Sequence, residues 1–109
     1  MTTVNTLQTD LYGLKSGQIE KIKKIFDSSH KVSEVILFGS RAKGNFKAGS
    51  DVDLVLKGEG LGLDDILKLH NQLDELDLPY KFDLLVFGNI KDINVIEHIK
   101  RLGKTFYKK

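Results

Sequence analysis

Apolar residues recur at helical spacing at Ile19, Ile22, Ile25 and Phe26, which predicts a helix from about Ser16 to Ser29. Val35 to Phe38 is an unbroken apolar run closed by Gly39-Ser40, the pattern of a short buried strand. Residues 39–50 are rich in Gly, Ser, Lys and Asn and read as a loop. From Asp51 to Leu56 the pattern alternates, with Val52, Leu54 and Leu56 on one side and Asp51, Asp53 and Val55 on the other, so this segment is a strand. GEGLG at 58–62 is a turn. Ile66, Leu69, Leu73 and Leu76 then mark a second helix that ends near Leu78, ahead of the single proline, Pro79. Tyr80 to Phe87 is a third strand, with Phe82, Leu84 and Val86 on one face and Asp83 on the other. Asn89 is the expected cap of a last helix, with Asp92 supporting its first turn and Ile93, Ile96, Ile99 and Leu102 facing inward. Gly103 is its stop signal, and KTFY adds a short closing strand.

The predicted order is helix, strand, strand, helix, strand, helix. Two successive strands with no helix between them argue against a doubly wound parallel sheet. The expected class is α/β of the α+β type: a small mixed β-sheet with helices packed mainly on one face, leaving the other free for polar residues. The 109 residues fit one domain, taken as residues 15–109 behind an N-terminal extension over 1–14. A chain this short buries a modest share of its surface, so a homo-oligomer or a partner subunit is expected to be compatible with it.

With 17 basic and 15 acidic residues the net charge is +2, too balanced for direct nucleic-acid binding. The chain has no cysteine, which excludes disulfides and thiolate metal sites. No signal peptide or membrane span is visible, and the expected location is cytoplasmic.

Asp51 and Asp53 change the picture. Two residues apart on one strand, their carboxylates leave the same face, separated by ~6.5–7 Å along the chain. Unpaired, such charges raise one another's pKa and oppose folding. A divalent cation removes the repulsion, and an all-oxygen donor set suits magnesium or manganese. Asp83 occupies an equivalent outward position on the third strand. If that strand neighbours the second, three carboxylates converge. The alternative is a solvated acidic face, but aspartate is a poor strand former and three stand at matched positions. Gly39 lets backbone amides approach a phosphate, and the Ser40 hydroxyl adds a donor. Arg41 and Lys43 either meet phosphate charge or are solvated loop cations.

Two better-known nucleotide motifs fail. Gly39 and Gly44 have P-loop spacing, but Asn45-Phe46 stands where Lys and a hydroxyl residue are required. Gly58-Glu59-Gly60 follows a strand, but Leu63 replaces the third glycine of a dinucleotide fingerprint. His30 belongs to a helix end, His70 and His98 lack metal-ligand spacing, and Tyr12, Tyr80 and Tyr107 are expected to pack.

GSRAKGNFKAGSDVDLVL resembles the signature of the nucleotidyltransferase superfamily that includes DNA polymerase beta: Gly-Ser, a loop, then Asp-x-Asp. From the first helix to HIKRLGKTFY the chain resembles the minimal nucleotidyltransferases of prokaryotes, the antitoxins of HEPN toxin–antitoxin pairs. The resemblance implies the nucleotidyltransferase fold and a nucleotide-binding set of Gly39, Ser40, Arg41 and Ser50. It also implies that Asp51, Asp53 and Asp83 are the catalytic residues and hold two magnesium ions. The implied reaction moves a nucleoside monophosphate, by analogy AMP from ATP, onto a hydroxyl of a HEPN-domain partner. A catalytically silent antitoxin that works by complex formation is the alternative. Transfer to a small molecule of the aminoglycoside type is disfavoured, because larger relatives carry an acceptor domain that this chain does not show.

Overall fold

In the computed structural model, which describes residues 11–109, the two central strands are covered on both faces. The sheet has four strands in the order β3-β2-β1-β4, where β1 is Glu34–Phe38, β2 Val52–Lys57, β3 Phe82–Val86 and β4 Lys104–Lys108. β1 pairs antiparallel with both β2 and β4, whereas β2 and β3 run parallel. A parallel pair needs a crossover. Here the connection contains α3 (Leu63–Asp74). The other helices are α1 (Ser16–Asp27), the four-residue α2 (Ser40–Lys43) and α4 (Ile93–Leu102). Among the described residues, no helix is long and apolar enough to cross a membrane.

The period-two pattern divides the core. On one face Val35, Leu37, Val52, Leu54, Leu56 and Phe82 pack against Ile19, Ile22 and Phe26 of α1 and Leu69 and Leu73 of α3. On the other, Ile36 and Val55 meet Ile99 of α4, with Phe38, Leu85 and Val95 around them. The helices therefore lie mainly on one face, as predicted, but the opposite face is not left to polar residues. Ile36 and Val55 are apolar in the outward register, and α4 covers them. A bulge between Val35 and Ile36 makes Phe106 the extra residue of β4, and its ring joins the larger core.

Leu14 is fully buried and Tyr12 packs against the same cluster, so residues 11–14 belong to the folded unit rather than to an extension. The rest of the predicted extension, residues 1–10, lies outside the described residues. The loop at 39–50 contains α2, too short for periodicity to reveal. α3 begins earlier than its apolar pattern, because the Asp65 carboxylate accepts the Gly62 amide at 2.9 Å and the Lys31 ammonium at 3.1 Å. It also ends before Pro79, because Asp77 takes a left-handed conformation with φ 55°.

Asn89 does not cap the last helix. It belongs to a 3₁₀ turn, Phe87–Asn89, and the cap of α4 is Asp92, whose carboxylate accepts the Asn94 amide at 2.9 Å. The capping bond predicts that Asp92→Ala lowers stability by about 1 kcal/mol while Asn89→Ala changes it by less than about 0.5 kcal/mol. Urea melts of the two variants measure the difference.

Candidate active site

The start of β2, the start of β3 and the end of β1 meet at one edge of the sheet. In the β1–β2 register Phe38 faces Asp53, and in the β2–β3 register Asp53 faces Asp83. The condition for the carboxylates to converge, that β3 neighbours β2, is met for Asp53 and Asp83. Parallel pairing in register puts Asp53 and Asp83 side by side on one face, and Asp51 stands two residues before Asp53. Asp51 and Asp83 are exposed, and Asp53 is partly buried.

Gly39 closes the end of β1 with φ 76°, a conformation that favours glycine. Any Cβ added there would collide with the Asp53 carboxylate. The turn therefore lies directly against that carboxylate, and Ser40 begins α2 immediately after it.

Asp53 titrates above the ordinary carboxylate range. Burial is the main cause, followed by the charges of Asp83 and Asp51, with Arg41 acting in the opposite direction. None of the three aspartates forms a hydrogen bond or ion pair through its carboxylate among the described residues. The donor set is all carboxylate oxygen, unpaired and mutually repelling, which fits a hard divalent cation. As the side chains stand, no group of three acidic, histidine or cysteine residues among the described residues is close enough together to hold a metal ion, so the fit is one of chemistry and not of a formed cage.

Arg41 was expected at a phosphate or in solvent, and it is in neither place. It is the one polar or charged side chain buried among the described residues, 2% exposed. Its Nη1 donates to the Tyr12 carbonyl at 2.8 Å, and Nη2 and Nε donate to the Ser50 carbonyl at 2.8 and 3.2 Å. The rings of Phe46 and Tyr80 flank it, with centroids 5.2 and 4.8 Å from the guanidinium carbon. The guanidinium thus ties the loop to the domain by the residue next to Asp51. Lys43 is exposed.

Ser50 also faces its own loop. Its hydroxyl accepts the Lys47 amide at 2.8 Å, and beyond Asp51 the Val52 amide donates to the Lys81 carbonyl at 2.8 Å. Asp51 is therefore fixed on both sides by backbone anchors. Asp83 has a similar support that the sequence reading missed: His70 Nε2 lies 3.0 Å from the carbonyl of Phe82, and Nδ1 lies 3.3 Å from the Asp74 carboxylate. Its only sequence signal is the i, i+4 spacing from His70 to Asp74.

A family model described as polymerase beta, nucleotidyltransferase, matches residues 20–109. The chain belongs to this family. The nucleotidyltransferase is 32% identical over 83 residues to a Methanocaldococcus jannaschii protein provisionally named a protein adenylyltransferase, spanning 75% of this chain and 84% of that one. In fold it is similar to a chain of a toxin–antitoxin complex with AMP-PNP, at TM-score 0.68 and 23% identity, over 84% of this chain and 73% of the other. It is similar also to a chain of a complex described as tri-AMPylated Shewanella oneidensis HEPN toxin with MNT antitoxin, at TM-score 0.62 and 21% identity, over 84% and 71% of the two chains.

The raised pKa of Asp53 has a definite sign in stability. Over the interval between the unfolded and folded pKa values the native nucleotidyltransferase holds more protons, so stability falls as pH rises through it. Asp53→Asn removes this penalty. Without added metal the variant is expected to melt above the wild type at about pH 7, with the gain shrinking on acidification and vanishing by about pH 3. A lower melting temperature for the variant at neutral pH would show that Asp53 holds the fold together.

Proposed function

We propose that this nucleotidyltransferase transfers AMP from ATP to a hydroxyl of a HEPN-domain protein and thereby acts as the antitoxin of a toxin–antitoxin pair. The observation that carries the reading is the in-register pairing of Asp53 with Asp83 beside the Gly39 turn. It gathers acidic side chains, with no cationic side chain paired to them among the described residues, where a triphosphate could approach backbone. Support also comes from the adenylyltransferase name of the relative and from the toxin–antitoxin complexes of similar fold.

Each residue then has a part to perform. The Gly39 turn gives close approach and the Ser40 hydroxyl a donor for the phosphates. Asp51, Asp53 and Asp83 are the residues that would hold magnesium or manganese. When bound, the metal lowers the pKa of the attacking hydroxyl and offsets the charge of the triphosphate and the departing pyrophosphate. Asp83, exposed on the edge strand, would receive the proton of the acceptor hydroxyl. The acceptor oxygen bonds to the α-phosphorus as the bond to pyrophosphate breaks, leaving AMP on the partner. Arg41 and Ser50 contribute by holding Asp51 in place rather than by touching the nucleotide. A tyrosine is the preferred acceptor class, and the added phosphodiester charge would repel the RNA substrate of a nuclease partner.

Co-expression with the HEPN protein followed by intact-mass measurement tests the reading. One or more AMP additions are expected on the partner, and these should disappear when Asp51 and Asp53 are both changed to Asn. An unmodified partner that the double variant still neutralises would replace catalysis with neutralisation by complex formation.

A further inference from the structure

Beside Gly39, on the face that α4 covers, the sheet edge opens into a cleft of about 370 Å³ lined by Phe38, Gly39, Asn94, Val95 and His98. Its floor is apolar: Phe38 and Val95 are the margin of the smaller core around Ile36, Val55 and Ile99. Its polar groups are the side chains of Asn94 and His98, one helical turn apart on α4 and so stacked on one stripe. Neither side chain forms a hydrogen bond or ion pair among the described residues. Among the described residues no carboxylate or ammonium group lines the cleft. Gly39 belongs both to this cleft and to the turn that abuts Asp53.

We propose that the cleft seats the heterocyclic base of the nucleotide, with Phe38 and Val95 in apolar contact with the ring and Asn94 and His98 reading its polar edge. This rests on the nucleotide reading of the Gly39–Ser40 turn. A base is joined to the α-phosphate through a single ribose, so a triphosphate whose α-phosphate end lies toward Gly39 would carry its base within reach of the cleft that Gly39 lines. An uncharged aromatic heterocycle matches an apolar floor with neutral polar groups at its rim, and the volume falls within the range of small-molecule sites. The acceptor has the other side available, where Asp51 and Asp83 are exposed. Asn94 and His98 become the specificity-determining residues, contacting the base and not the reacting phosphate.

The test separates base from phosphate. MgATP and magnesium tripolyphosphate are titrated calorimetrically into the wild type and into Asn94→Trp, a change at an exposed position that fills the cleft. The expected result is ATP binding weakened by about tenfold or more with tripolyphosphate binding unchanged. If circular dichroism shows that the tryptophan variant is misfolded, the Asn94→Ala/His98→Ala pair carries the same test, with the same selective loss expected. Parallel weakening of both ligands, or unchanged ATP binding, overturns the proposal. Unchanged ATP binding with loss of AMP transfer would assign the cleft to the acceptor instead and likewise overturns it. If the wild type binds neither ligand, the nucleotide reading itself fails, and the base seat with it.

Discussion

The rest of the site depends on like charge held in register. Parallel pairing of β2 with β3 sets Asp53 beside Asp83, and Asp51, just ahead of β2, is near enough for its charge to act on Asp53. A sheet that needed only stability would not crowd three carboxylates at one edge without a cation. Asp53 registers the cost directly, because burial and its two neighbours raise it above the usual carboxylate range. The fold tolerates this because β2 is buried over most of its length and β3 is anchored by the buried Phe82. β2 places Val52, Leu54 and Leu56 in the larger core and Val55 in the smaller one.

Rigidity at the edge comes from interactions that do not belong to the sheet. Arg41 takes its positive charge into the interior, where its hydrogen bonds go to two carbonyls and its faces to two rings. Burying a guanidinium is tolerable only when its donors are matched, and losing a partner of a charged hydrogen bond costs about 1.5–3 kcal/mol. What it holds is the loop from α2 to β2, and through Ser50 the approach to Asp51. His70 performs a comparable service for β3 by bonding to the carbonyl that precedes Asp83. The carboxylates are exposed or partly so, while their supports are tied into the packed domain. That is the arrangement a positioned reaction requires.

Local patterns carried much of this into the sequence. The alternation from Val52 to Leu56, the glycine stop at Gly103 and the closing strand were readable because each depends on near neighbours. The side-by-side placement of Asp53 and Asp83 was readable only as a condition, since strand order is a long-range property. The cap of α4 went to the wrong residue because Asn89 and Asp92 carry similar side-chain chemistry and only the chain path, through a 3₁₀ turn, separates them. Arg41 was misplaced for a deeper reason. Its partners, Tyr12, Phe46, Ser50 and Tyr80, are scattered along the chain, and a cation in a glycine-rich loop has no local signal for burial. The covering of the second face by α4 was hidden in the same way, although Val55 and Ile36 had an apolar pattern that permitted it.

We propose that the crowded carboxylates form a cation-requiring seat for a nucleoside triphosphate, and that without a cation they repel it. Calorimetric titration of ATP into the protein, once with magnesium and once with a chelator, tests this most directly. Clear binding with magnesium and markedly weaker binding with the chelator is the predicted result. Equal affinity under both conditions would contradict it, because the three aspartates would then neither repel the triphosphate nor bind it through a cation.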